Sequence, residues 1–233
     1  MRSSRSSPGS EESVSPPFAD RAAAGRHLGH RLASMGLTDP LVFALPRGGV
    51  AVAYEVAHVL DASLDVLVTR KIGYPYQPEL GVGAIAEGGE PVYDPRLMDR
   101  LGLHPDDLED VVTTEREELR RRVEVYRGER PLPGAKGRDV VVVDDGLATG
   151  GTARAALRAV RAGRPRRLLL AAPVSAADTA EAIRGDADDV VILAAPPGFR
   201  AVGQWYHAFD QLTDDDVVAL LEQAGLEQAG GRG

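Results

Sequence analysis

Residues 139 to 152, Asp139-Val140-Val141-Val142-Val143-Asp144-Asp145-Gly146-Leu147-Ala148-Thr149-Gly150-Gly151-Thr152, carry the densest chemistry in the sequence. The adjacent carboxylates Asp144 and Asp145 can accept hydrogen bonds from a pair of hydroxyls, but they repel phosphate. The small residues that follow do the opposite. Thr149, Gly150, Gly151 and Thr152 at a helix start leave backbone N–H groups free to converge on an anion, and two hydroxyls add donors. Acid pair and anion cup together suit a ligand with vicinal hydroxyls and a phosphate, and a phosphorylated ribose has both.

Positioning such a site requires a strand, a loop and a helix in that order. Four consecutive valines, Val140 to Val143, read as a strand buried on both faces, in the middle of a parallel sheet. An Ala-rich helix over residues 151–162 follows, so the acid pair falls in the crevice at the carboxyl end of the strand, where open α/β sheets bind ligands. Other phosphate loops fit worse. A nucleotide triphosphatase loop needs Lys after Gly151, where Thr152 stands, and the dinucleotide-like run Gly81-Val82-Gly83-Ala84-Ile85-Ala86 leads into Glu87-Gly88-Gly89-Glu90-Pro91, which cannot open a helix.

The apolar run, acid pair and Gly-Leu-Ala-Thr-Gly-Gly-Thr loop resemble the phosphoribosyl pyrophosphate (PRPP) signature of type I phosphoribosyltransferases over the thirteen positions from Val140 to Thr152. The resemblance extends over residues 18–222. It implies a parallel sheet of about five strands flanked by helices, with a small hood from the terminal segments. By the same resemblance, Ala148, Thr149, Gly150, Gly151 and Thr152 hold the 5′-phosphate, and Asp144 and Asp145 hold the ribose hydroxyls as catalytic carboxylates. Arg47, Gly48, Gly49 and Lys71 hold the pyrophosphate. Mg2+ is carried mainly through PRPP, with no dedicated protein ligand set. The runs Arg70-Lys71-Ile72-Gly73 and Val202-Gly203-Gln204-Trp205-Tyr206 look like a bacterial group of these enzymes without an assigned acceptor.

A chain of 233 residues with 43% hydrophobic residues can bury a full core, and one α/β domain is expected. A net charge of −8 without a basic block argues against nucleic acid as a partner. With no cysteine, disulfides, thiolate catalysis and cysteine zinc sites are excluded, and the five histidines form no metal pattern. Residues 1–17 are rich in Ser, Arg, Glu and Pro and are expected to be disordered, with neither a signal peptide nor a membrane span. The expectation is a cytoplasmic protein with no membrane partner.

Along the chain, a helix is predicted over 18–35, a short strand over 41–45 and a helix over 50–60, joined by Pro46-Arg47-Gly48-Gly49, a second strand–glycine–helix turn. Taken alone, that turn is as readily structural as functional. A strand over 64–69 ends in the basic pair Arg70-Lys71. Residues 74–104 read as an excursion with two short strands, 82–86 and 91–93, turning at Gly88-Gly89, and the family resemblance makes this region a lid. A charged helix spans 105–126 with Glu117/Arg121 and Glu118/Arg122 spaced i, i+4. Strands over 167–174 and 190–194 flank a helix over 176–183, and a last helix over 214–223 starts at a Thr213/Asp216 cap, followed by a fraying tail over 223–233.

The activity implied is transfer of a 5-phosphoribosyl group from PRPP to a nitrogenous acceptor, a nucleobase in nucleotide salvage being the leading choice, with release of pyrophosphate. A non-enzymatic PRPP sensor would keep the cup without turnover, and a phosphosugar-handling structural protein would have no use for the acid pair. Phe199, Trp205, Tyr206 and Phe209 crowd into eleven residues. Trp205 and Tyr206 are the candidate acceptor platform, although aromatics placed there can equally pin the C-terminal segment to the sheet. A homodimer is compatible with the sequence but not specified by it.

Overall fold

The computed structural model describes residues 15–230, so the expectation for the extreme N-terminus and for 231–233 lies outside the described residues. Its elements are α1 (Arg21–Ala33), β1 (Pro40–Ala44), α2 (Gly48–Leu60), β2 (Ser63–Val66), β3 (Thr69–Tyr74), β4 (Gln77–Ala86), β5 (Val92–Tyr93), α3 (Pro95–Leu101), α4 (Glu109–Arg127), β6 (Asp139–Val143), α5 (Gly151–Ala162), β7 (Arg167–Val174), α6 (Ala177–Ala182), β8 (Asp189–Ala194) and α7 (Asp214–Gly230).

The valine run is the middle strand. A five-stranded sheet runs in the order β2-β1-β6-β7-β8, and every pairing in it is parallel. Because side chains alternate across a strand, Val141 and Val143 enter the core shared with α1, α2, α4 and α7, while Val140 and Val142 enter the core under α5. All four valines are fully buried, a contribution of about 1.5–3 kcal/mol each from removal of apolar surface from water. Burial on both faces leaves only the strand ends free for chemistry.

The excursion differs from its prediction in two ways. The expected strand over 64–69 stops at Val66, and Thr69 opens β3 of a separate antiparallel sheet ordered β3-β4-β5. Arg70 and Lys71 therefore lie inside that sheet and not at the carboxyl edge of the parallel one. Pro75 and Pro78 concealed a hairpin: β3 pairs with β4 through a turn at residues 75–76, with register shifts on either side of Gly73 that absorb the prolines. The expected second hairpin is present, Ala84 pairing with Val92 around the Gly88-Gly89 turn. This small sheet rests on α5 through Ala84, Ala86, Val92, Ala155 and Ala159. One further helix, α3, was not foreseen; Asp94 caps it, accepting from the N–H groups of Arg96 and Leu97.

On α4, Glu118 accepts from both Arg121 and Arg122, so the expected Glu117/Arg121 pair gives way to an i, i+3 pair beside the i, i+4 one. The Thr213/Asp216 capping box is present, but α7 continues to Gly230, past the expected end at residue 223. Val217 and Ala224 are buried, and packing against α2, β2 and α4 holds the helix beyond what its glycine content suggests.

Candidate active site

The acid pair leaves β6 at Val143 and turns inward. Asp145 N–H donates to Asp144 Oδ1 (2.8 Å), and Arg21 Nε donates to Asp145 Oδ2 (2.8 Å), with only 11% and 14% of the Arg21 and Asp145 side chains exposed. Tyr206 OH donates to the backbone carbonyl of Asp145 (2.6 Å). Burial, reinforced by the neighbouring Asp145 charge, pushes the Asp144 carboxyl well above the usual carboxylate range. Burial also raises Asp145, against the pull of Arg21. Asp145 alone pairs with Arg21, and the raised Asp144 carboxyl suits hydroxyl donors or a cation arriving with the ligand.

The loop after the pair is shaped by Gly150, whose φ of 71° only glycine adopts without strain. Thr179 Oγ1 donates to the Ala148 carbonyl (2.6 Å) and fixes the outer side of the loop. Beyond it α5 begins with its first N–H groups unpaired by any side chain. A Cβ placed on Gly151 would meet nothing nearer than Thr149 Oγ1 at 4.0 Å. The space before the helix N-terminus is open, as an anion cup requires.

The second loop, Pro46-Arg47-Gly48-Gly49, comes up beside the acid pair. A Cβ on Gly48 would overlap the Asp145 carboxylate, and one on Gly49 would lie 2.8 Å from the Val143 carbonyl oxygen and 3.1 Å from Asp144 Cα. Arg47 reaches across to Asp214 at the start of α7, Nη1 to Oδ1 3.8 Å. Lys71 is folded onto Glu79, donating to its carbonyl oxygen (3.1 Å) with the carboxylate 3.6 Å away.

Two cavities lie in this region, one of them lined by Asp145. One, of about 390 Å³, is lined by Arg21, Arg47, Gly48, Asp145, Phe209 and Gln211. The other, of about 350 Å³, lies between the small sheet and the cup, and its walls include Lys71, Tyr93, Thr149, Gly151, Thr152 and Arg154. The structure thus brings Asp145, Arg47 and Gly48 to one cavity and puts Lys71 with the 149–152 loop in the other. Of the aromatic candidates, Tyr206 is buried with its hydroxyl engaged, and Trp205 stacks on Phe199 at 6.2 Å. Phe209 is the ring that reaches the cavity, with the Arg21 guanidinium 3.8 Å above its face. The sequence does not single out Arg21 or Asp214: Arg21 is one charge on the first turn of α1, and Asp214 is the first of three aspartates within the Thr213/Asp216 cap.

A parallel five-stranded sheet, an acid pair at the end of its middle strand and an open glycine loop at the following helix define a type I phosphoribosyltransferase fold. The phosphoribosyl transferase domain family model matches residues 19–199, and the chain belongs to that family. Two Mycobacterium tuberculosis proteins, from strains CDC 1551 / Oshkosh and ATCC 25618 / H37Rv, each named "Putative phosphoribosyl transferase", are 46% identical over 207 residues. These matches cover 89% of this chain and 47% of each relative, so the chain spans about half the length of those proteins. The crystal structure of TT1426 from Thermus thermophilus is similar with a TM-score of 0.76 at 45% identity, covering 88% of this chain and 98% of that one.

Proposed function

We propose that the protein transfers the 5-phosphoribosyl group of PRPP to a nitrogenous acceptor, a nucleobase being the first choice, and releases pyrophosphate. The observation that supports this reading best is the close approach of Gly48 to Asp145, by which the Arg47 loop and Asp145 line one cavity, with open space at Gly151 in the loop that follows. In this reading the N–H groups at the start of α5, with Thr149 and Thr152, hold the 5′-phosphate. Asp144 and Asp145 accept the ribose hydroxyls, fix the ring and favour positive charge at the carbon losing pyrophosphate. Arg47, the Gly48-Gly49 backbone and Lys71 attract the departing anion, Lys71 swinging from Glu79 as the small sheet closes as a lid that excludes water.

Among the described residues no three His, Cys, Asp or Glu side chains group to hold a metal ion. The donor chemistry nevertheless fits one, because Arg21 pairs with Asp145 alone and a cation would favour the ionised form of the buried Asp144. Mg2+ would be held through PRPP oxygens beside Asp144 and Asp145, and when bound it offsets charge on the pyrophosphate. The decisive experiment incubates the protein with PRPP and Mg2+ and a panel of nucleobases and amines, following pyrophosphate release. Acceptor-dependent release is expected. Tight PRPP binding with no release for any acceptor would favour the sensor reading, in which the cup is kept and turnover is lost.

A further inference from the structure

Arg47 does not project freely into its cavity. Its guanidinium faces Asp214 Oδ1 at 3.8 Å, and the same oxygen accepts a 2.5 Å hydrogen bond from Tyr126 OH. Tyr126 is buried at the end of α4, and Asp214 is the first residue of α7. Two elements remote in sequence therefore meet on one carboxylate oxygen beside the Gly48 loop.

We propose that Asp214, held by Tyr126, is a positioning residue that aims the Arg47 guanidinium at the leaving pyrophosphate. This rests on the functional reading above, which makes Arg47 a pyrophosphate ligand. The geometry has three parts. Tyr126 fixes the carboxylate whether or not Arg47 is there, so Asp214 is the anchor and Arg47 the moving partner. Its hydroxyl is a dependable donor, since burial and the Asp214 bond push its pKa to about 12. The contact at Nη1 leaves the remaining guanidinium N–H groups free for an incoming anion. A 3.8 Å pair with both side chains about a third exposed is weak enough to let Arg47 turn and strong enough to narrow its rotamers.

The test is titration calorimetry with PRPP and with pyrophosphate, each with Mg2+, on the native protein, Asp214→Ala, Asp214→Asn and Tyr126→Phe, alongside melting temperatures and kcat and KM. Asp214→Ala should weaken both ligands about 5-fold and raise KM for PRPP more than it lowers kcat. Asp214→Asn keeps an oxygen for Tyr126 but no charge for Arg47, so it should lose nearly as much as Asp214→Ala, and Tyr126→Phe, which frees the carboxylate without removing it, should lose less. Unchanged affinity with a lowered melting temperature would reduce the contact to a scaffold and overturn the proposal. Tighter pyrophosphate binding in Asp214→Ala would overturn it too, showing a competitor in place of a guide. A native protein that binds neither ligand would overturn the functional reading together with this one, whereas native binding that Asp214→Ala leaves intact would remove only this one.

Discussion

The turns from β6 to α5 and from β1 to α2 look alike in sequence, each a buried strand, a glycine pair and a helix, yet their glycines serve opposite ends. At Gly151 the missing Cβ borders open space, so the glycine leaves room for something outside the protein. At Gly48 and Gly49 the missing Cβ borders the acid pair itself, so these glycines let the second loop lie against the product of the first. One pair borders open space, the proposed cup, and the other packs against the acid pair as a wall.

The comparison breaks most visibly by adding a methyl at the wall. Gly48→Ala must displace the Asp145 carboxylate that Arg21 holds. We expect a loss of about 1–3 kcal/mol in unfolding free energy by chemical denaturation, with kcat/KM reduced on the order of 100-fold by misplacement of the pair. Gly151→Val should melt close to the native protein yet bind PRPP ~100-fold more weakly, as roughly two charge-assisted hydrogen bonds to phosphate are lost. Equal melting losses in both variants would erase the distinction between cup and wall.

Asp144→Asn and Asp145→Asn probe the region the two turns share. Each amide still accepts a hydroxyl but cannot stabilise positive charge, so kcat should fall roughly 100-fold with a smaller change in PRPP affinity, measured by steady-state kinetics and calorimetry. Native turnover in both would make the carboxylates structural. Asp144 also carries a pH signature. Because its folded-state pKa is raised, the folded protein binds the proton more tightly than the unfolded chain, and stability is lost as pH rises from the ordinary carboxylate range through that raised value. Asp144→Asn removes the penalty, so its melting temperature should exceed the native one at pH 7, and the gain should vanish as pH falls to the ordinary carboxylate range.

The central strand, its acid pair and the helices around them were legible because unbroken valines have few other uses and the loop residues form a dense pattern. The small antiparallel sheet was only half legible: Pro75 and Pro78 argue locally against strands, and only the tertiary pairing of β3 with β4 overrides them. Arg21 and Asp214 escaped because each acts through a contact with residues far along the chain, Arg21 with Asp145 and Asp214 with Tyr126 and Arg47, whereas Phe209 stood out as one of the aromatic cluster and only its place on the cavity was not legible. A charge on a helix first turn has no local pattern that announces such a partner.

The smallest expected effect concerns the aromatic segment. Phe209 borders the cavity while Trp205 and Tyr206 are engaged elsewhere, so Phe209→Leu should raise acceptor KM ~3–10-fold, from the ~0.5–1.5 kcal/mol of a ring pair, and leave PRPP affinity alone. If Trp205→Phe moved acceptor KM instead and Phe209→Leu did not, the acceptor platform would lie with Trp205.

In the proposed function the cup and the acid pair together take a phosphorylated ribose carrying pyrophosphate. Titration calorimetry of PRPP and ATP, each with Mg2+ and with EDTA, measures that directly. PRPP should bind more tightly than ATP and lose most of its affinity in EDTA. Equal PRPP affinity in EDTA, or tighter binding of ATP, would contradict the account.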